Sequence, residues 1–218
     1  MKRKTALILS SVLLVLLAIG GCNGGADDLA PAEVREYEGE NLSSINDFRE
    51  NSIKGPQYVD INDYQLQITG LVESPQSYGY DEVISLFPSY KKVVTLYCVE
   101  GWDVTILWEG LLVDDLLAAA DPMPEARIAI FHAYDGYTTS LFLDYITDNN
   151  ILMAYKMNEV TLPAARGFPF ALVAESKWGY KWIKWIVKIE LSDDEDYQGY
   201  WESRGYSDSG DLDESFFD

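Results

Sequence analysis

Residues 183–191, IKWIVKIEL, place Ile183, Trp185, Val187, Ile189 and Leu191 on one side of an extended chain, with Lys184, Lys188 and Glu190 on the other. A period of two does not suit a helix, so the segment predicts a long strand with one face against a core. Partner strands are available. YQLQIT aligns Tyr64, Leu66 and Ile68 before the turn residue Gly70, KVVTLYC is a β-branched run ending on Cys98, and RIAIFH and LMAY read as further strands. YDEVISLF, with Asp81 as N-cap and Val83, Ile84 and Phe87 on one face, and VDDLLAAA predict short helices between them. This order predicts an α+β fold of mixed sheets with short helices.

The 218 residues suit one domain, and 48% apolar content is enough to give it a core. The net charge of −20 repels phosphates, which excludes a nucleic-acid partner. Two cysteines and one histidine cannot supply a four-ligand zinc site or a CxxCH haem attachment. The chain also has no GxSxG, Walker loop, GxGxxG or HExxH.

The first residues, MKRKTALILSSVLLVLLAIGGC, carry three basic residues, a short apolar stretch, two glycines and Cys22. That stretch is shorter than the roughly 20 residues a membrane span requires. The pattern predicts a lipoprotein signal at residues 1–21, with lipidation of Cys22 and an extracytoplasmic, membrane-anchored product. Residues 22–41, rich in Gly, Ala, Asp and Glu, read as a flexible tether, and residues 42–218 as the domain. The tail from 192 onward is acidic but keeps Tyr197, Tyr200, Trp201, Tyr206, Phe216 and Phe217, so YWESRGYS is expected to pack back on the domain.

Three features carry candidate chemistry. With Cys22 lipidated, Cys98 is the only thiol of the body; it reads either as a small buried hydrophobe or as a thiolate ligand presented at a strand end. His132 is the only imidazole, so any histidine-dependent proton transfer must use it; the alternative is a core or rim histidine. Lys177, Lys181, Lys184 and Lys188 form a candidate anion site or a set of solvated charges, and Gly179 favours a turn followed by a strand over a helical stripe.

Taken together, NDFRENS, YCVEGW, FHAYDGYTTSL, MAYKMNEVTLPAARGFPFALV and WGYKWIKWIVKIEL resemble, in order and spacing, the oxidoreductase molybdopterin-binding domain of the sulfite-oxidase family. The likeness covers residues 44–191 and is similar to that family's periplasmic protein-methionine-sulfoxide reductase branch. It implies a molybdenum-molybdopterin cofactor, with Cys98 as metal ligand and catalytic residue. Asn46, Arg49 and Glu50 then fall at pterin-contacting positions, and Trp182, Ile183 and Lys184 in the segment holding the pterin phosphate. Ala133 and Arg166 stand at cofactor positions where the reductases have threonine and asparagine, and Ala171 stands where an arginine assists the cofactor. Either Lys184 and Arg166 are therefore expected to carry more of the phosphate charge, or cofactor binding is weaker.

The activity implied is two-electron oxygen-atom transfer on a small or protein-bound S-oxide or N-oxide, such as a methionine-sulfoxide-like group, with reduction favoured. Oxidation of a sulfite-like anion, or a cofactor-binding lipoprotein module without turnover, are the alternatives. Electrons would pass through a separate partner, either a membrane haem or quinol subunit or a soluble carrier.

Overall fold

The computed structural model describes residues 33–217. The predicted signal and Cys22 lie outside the described residues.

A hairpin, β1 (Glu36–Tyr37) and β2 (Glu40–Asn41), begins the described chain. Here the structure extends the body upstream of Leu42, into part of the expected tether. Glu33 accepts hydrogen bonds from Ser44 Oγ at 2.6 Å and Ile45 N at 2.8 Å, and Val34 N donates to Asn158 O. Next come β3 (Leu66–Gly70), β4 (Gln76–Tyr78), α1 (Tyr80–Leu86), β5 (Tyr90–Tyr97), β6 (Asp103–Leu112) and α2 (Val113–Ala118). β7 (Ile128–Ala133), β8 (Thr138–Phe142), α3 (Leu143–Asp148), β9 (Leu152–Met157), β10 (Val160–Thr161), β11 (Ala171–Val173) and β12 (Ile186–Ser192) complete the set.

Apart from the β1–β2 hairpin, two five-stranded sheets share these strands. One runs β4-β3-β12-β7-β8, with β12 parallel to β3 and antiparallel to β7. The other runs β10-β9-β6-β5, with β11 added on β9, and every pairing in it is antiparallel. A single apolar core draws on both, from Leu66, Ile68, Phe131 and Ile189 of the first to Ile106, Met153 and Leu172 of the second. The expected α+β architecture of mixed sheets and short helices is the one observed.

Two local expectations are corrected. Asp81 is not the N-cap of α1: Gly79 is, and its backbone N–H donates to Glu82 Oε2 at 3.1 Å. Asp81 and Glu82 occupy the first turn, where negative charge meets the positive end of the helix. The long alternation at 183–191 is also interrupted. Trp185 adopts φ +55°, the strand starts at Ile186, and a bulge between Ile186 and Lys188 resets which side chains point inward. Ile183 and Trp185 are still buried, but in the loop leading to the strand.

Close backbone approach explains one glycine. At Gly70, φ is +85° and an added Cβ would stand 2.1 Å from Leu191 O, so only glycine lets β3 turn away beside β12.

Candidate active site

β5 is the edge strand of its sheet, with the chain buried again at Leu96 and Cys98. Directly after it the chain turns through Gly101 at φ +82°, and Gly101 N donates to Cys98 O at 3.0 Å. This sharp exit leaves Cys98 on the wall of a cavity of about 270 Å³. Burial raises the Cys98 thiol above its ordinary value; the Glu100 charge adds to the effect, while backbone contact at Glu100, Asn51 and Arg49 work against it. Asn51 Nδ2 donates toward Cys98 Sγ at 3.7 Å.

Two groups of side chains line the cavity together with Cys98. The 48–54 loop carries one group. Glu50 Oε1 accepts from Lys184 Nζ at 2.9 Å, and Arg166 donates to Ile45 O and Phe48 O with its guanidinium 4.9 Å from the Phe48 ring centroid. Burial lowers the Lys184 ammonium, with Glu50 opposing; burial raises Glu50, but the Lys184 contact and the Ser52 hydroxyl bring it below the ordinary range. Arg49, Arg166 and Lys184 are the cations lining this cavity.

The second group is carried by the tight turn at Gly179–Lys181. Gly179 packs so closely on the strand end that an added Cβ would stand 3.2 Å from Tyr97 O and 3.5 Å from Cys98 Cα. Tyr180, Tyr137, Trp201 and Tyr206 line the cavity here. Tyr180 stacks edge-on to Tyr206 at 5.1 Å, and Tyr206 lies 5.1 Å from Trp201. Phe48, Trp102, Trp108 and Trp182 add a further aromatic wall through contacts of 5.8 to 6.2 Å.

Of the residues singled out in the sequence, Cys98, Arg49, Arg166, Ala171, Trp182, Ile183 and Lys184 line the cavity. Glu50 reaches it through Lys184. Asn46 is exposed on the turn that leads into the loop, and Ala133 is buried at the end of β7; neither is among the lining residues.

His132 is also not brought to the cavity. Its Nε2 lies 3.0 Å from Glu190 Oε2 beside Lys188 on the β7–β12 surface, and burial together with the Lys188 charge lowers its protonation below the ordinary value. This position removes it from direct proton transfer at Cys98.

The four lysines do not form one anion site. Lys177 pairs with Asp211 at 2.5 Å, Lys181 with Glu202 at 2.8 Å, Lys184 with Glu50 and Lys188 with Glu190 at 2.7 Å. Only Lys184 faces the cavity. The expected return of YWESRGYS is observed: Glu202 is 2% exposed and accepts from Thr139 Oγ1 at 2.6 Å, and Trp178 N donates to Gly210 O.

A thiol on the wall, with amide and cationic groups on one side and stacking rings around it, suits a phosphate-bearing pterin that carries a thiophilic metal. A family model described as the oxidoreductase molybdopterin binding domain matches residues 53–201. The chain belongs to this family.

As a member of the molybdopterin-binding oxidoreductases of sulfite-oxidase type, it is an enzyme whose cofactor is molybdenum-molybdopterin. It is 34% identical over 157 residues to "Uncharacterized oxidoreductase YuiH" of Bacillus subtilis (strain 168), covering 72% of this chain and 78% of that one. It is 26% identical over 145 residues to "Protein-methionine-sulfoxide reductase catalytic subunit MsrP" of Ralstonia nicotianae, covering 60% of this chain and 44% of that one. Among solved structures, the sulfane dehydrogenase SoxCD from Paracoccus pantotrophus shares the fold with a TM-score of 0.65 at 22% identity, over 73% of this chain and 44% of that one. The chain thus spans less than half the length of MsrP and of the SoxCD chain.

Proposed function

We propose that this member of the family reduces a neutral organic S-oxide or N-oxide, including a methionine-sulfoxide-like group, by two-electron oxygen-atom transfer. When bound, the molybdenum-pterin group supplies that chemistry. In this reading Cys98 is the metal's protein thiolate ligand. Lys184 and Arg166, with Arg49, hold the phosphate end, and Asn51 orients the sulfur.

The observation that carries the reading is the distribution of charge. The cavity's three lining cations are Arg49, Arg166 and Lys184, and Lys184 is already partly matched by Glu50. The phosphate makes the first demand on them, and Lys181 beyond is neutralised by Glu202. A sulfite-like dianion would need convergent cations of its own, whereas an S-oxide needs a polar contact at oxygen and apolar surface around its carbon substituents. The aromatic walls supply that surface.

Electrons come from a separate partner in this proposal, either a membrane haem or quinol subunit or a soluble carrier. Cys22 carries the lipid that anchors the enzyme at the outer face of the membrane.

The test is turnover of protein matured in a molybdopterin-producing host. With a reduced viologen as donor, wild type is expected to reduce methionine sulfoxide and to contain about one molybdenum per chain. Cys98→Ser should fold but lose the metal or its thiolate spectroscopic signature. Sulfite oxidation with ferricyanide, in the absence of S-oxide or N-oxide reduction, would reverse the assigned direction. Labelled fatty acid incorporated into wild type but not Cys22→Ala would establish the anchor.

A further inference from the structure

The C-terminal tail supplies part of the cavity wall, although the family model's match ends at Trp201. We propose that Trp201 and Tyr206 form an aromatic subsite beside Cys98 that selects substrates bearing a planar or thioether-like apolar group next to the oxo group. Lys181 and Glu202 are its positioning pair. The inference rests on the S-oxide reading above and deepens it.

Three observations carry it. First, the rings and the lining cations of the cavity are held by different parts of the chain. Glu50, Lys184, Arg166 and Asn51 cluster with the 48–54 loop, whereas Tyr206 contacts both Trp201 and Tyr180, the latter on the turn whose Gly179 packs against Cys98. A cofactor held through Cys98 and Lys184 would take its contacts from the chain ahead of the tail, and the tail rings would then be available to a substrate.

Second, the rings are partly accessible although each has a buried neighbour in the chain. Trp201 and Tyr206 are half-buried, while Glu202 is 2% exposed and Ser207 is 7% exposed. The segment is thus anchored at Glu202 and Ser207, residues 203–205 between them are exposed, and both rings line the cavity.

Third, that fixation is unusually specific. Lys181 Nζ donates to Glu202 Oε1 at 2.8 Å and to Asp208 O at 2.9 Å, so one buried ammonium ties down both ends of the short segment carrying the rings. Tyr180 Oη adds a bond to Ser207 O at 2.7 Å. Lys181 belongs to the same turn as Gly179, so the aromatic wall and the Cys98 contact share one support. Rings held in this way favour edge-on or stacked contact with an aryl group and polarisable contact with sulfur, without needing to reorganise.

The experiment compares binding of methyl phenyl sulfone and dimethyl sulfone, which resemble the S-oxides, to cofactor-loaded enzyme by titration calorimetry, with molybdenum content measured on the same samples. Wild type is expected to bind the aryl sulfone more tightly. Trp201→Ala and Tyr206→Leu should each cut that preference by about three- to tenfold. Trp201→Phe should keep most of it, and Glu202→Gln should reduce it without touching a ring.

An unchanged preference in Trp201→Ala and Tyr206→Leu, or equal binding of both sulfones by wild type, would overturn the subsite. Loss of molybdenum in proportion to the loss of aryl binding would assign the rings to the cofactor and also overturn it. Should wild type reduce no S-oxide or N-oxide at all, the functional reading fails, while the sulfone preference still decides the subsite.

Discussion

Lys181 and Glu202 form an ion pair 2.8 Å long in which both side chains are fully shielded from solvent, across 21 residues of sequence. Burial lowers the lysine's protonation and the Glu202 charge restores part of it. Two opposite charges in such a place are individually costly and jointly tolerable. Lys181→Met or Glu202→Gln alone is therefore expected to destabilise the fold by about 3–5 kcal/mol, whereas the double variant should recover most of the loss. Urea midpoints of the four proteins in a double-mutant cycle measure this, and additive losses would show that the pair is not coupled.

His132 provides a negative control for the chemistry. Since it sits with Glu190 and Lys188 on the sheet surface, His132→Gln should leave turnover within about twofold and leave the pH profile of kcat in place. Its stability effect has a definite sign. The folded state holds the imidazole below its ordinary value of 6.5, so the unfolded chain takes up the proton first. The stability contributed is present above pH 6.5 and is lost as pH falls through the folded value, a slope that the Gln variant should flatten.

Glu109 makes the opposite kind of test, on a carboxylate. Burial raises its proton affinity, but Lys156 at 2.8 Å, Tyr155 at 3.2 Å and Lys91 at 3.7 Å outweigh it and bring the group below 4.5. A lowered carboxylate stabilises the fold above its unfolded value and ceases to do so as pH falls through the folded value. Denaturant midpoints should thus drop between about pH 6 and about pH 3 in wild type, and drop less in Glu109→Gln. Parallel curves for the two proteins would remove Glu109 from the acid response.

Gly167 connects backbone conformation to the cavity. It adopts φ +109°, and an added Cβ would stand 2.9 Å from Ala171 Cβ and 3.1 Å from Lys184 Cβ, both of which line the site. Gly167→Ala is expected to cost about 1–3 kcal/mol and to lower Tm by several degrees. Because the strain pushes on Lys184, molybdenum retained after gel filtration should fall as well. A variant as stable and as fully loaded as wild type would refute the coupling.

The sequence was most legible where one local pattern served one purpose. The runs at 93–97, 128–132 and 152–155 predict strands because β-branched and apolar residues in short compact groups have few other uses, and the turn after Cys98 follows from Gly101. The lysine cluster was not legible. Lys177, Lys181, Lys184 and Lys188 are close in sequence, but their partners Asp211, Glu202, Glu50 and Glu190 come from three parts of the chain that only the fold assembles. Trp185 preserved the alternation while its backbone left the strand conformation, and side-chain pattern alone does not register a positive φ. The aromatic excess of the tail signalled packing, yet not that Trp201 and Tyr206 would reach the same cavity as Cys98.

The order of strands in the β4-β3-β12-β7-β8 sheet also governs assembly in time. β12 is the last strand made, yet it is the central one, and it alone joins the β3–β4 pair to the β7–β8 pair. Until residue 192 has emerged from the ribosome the two flanking hairpins have no common neighbour, and each must keep an unpaired edge. Trp182, Ile183 and Lys184, which line the cavity, arrive just ahead of that strand, so this part of the cavity wall is set in the same late step. A nascent chain of this fold therefore cannot close that sheet, or bring this part of the cavity wall against it, until its twelfth strand has been made.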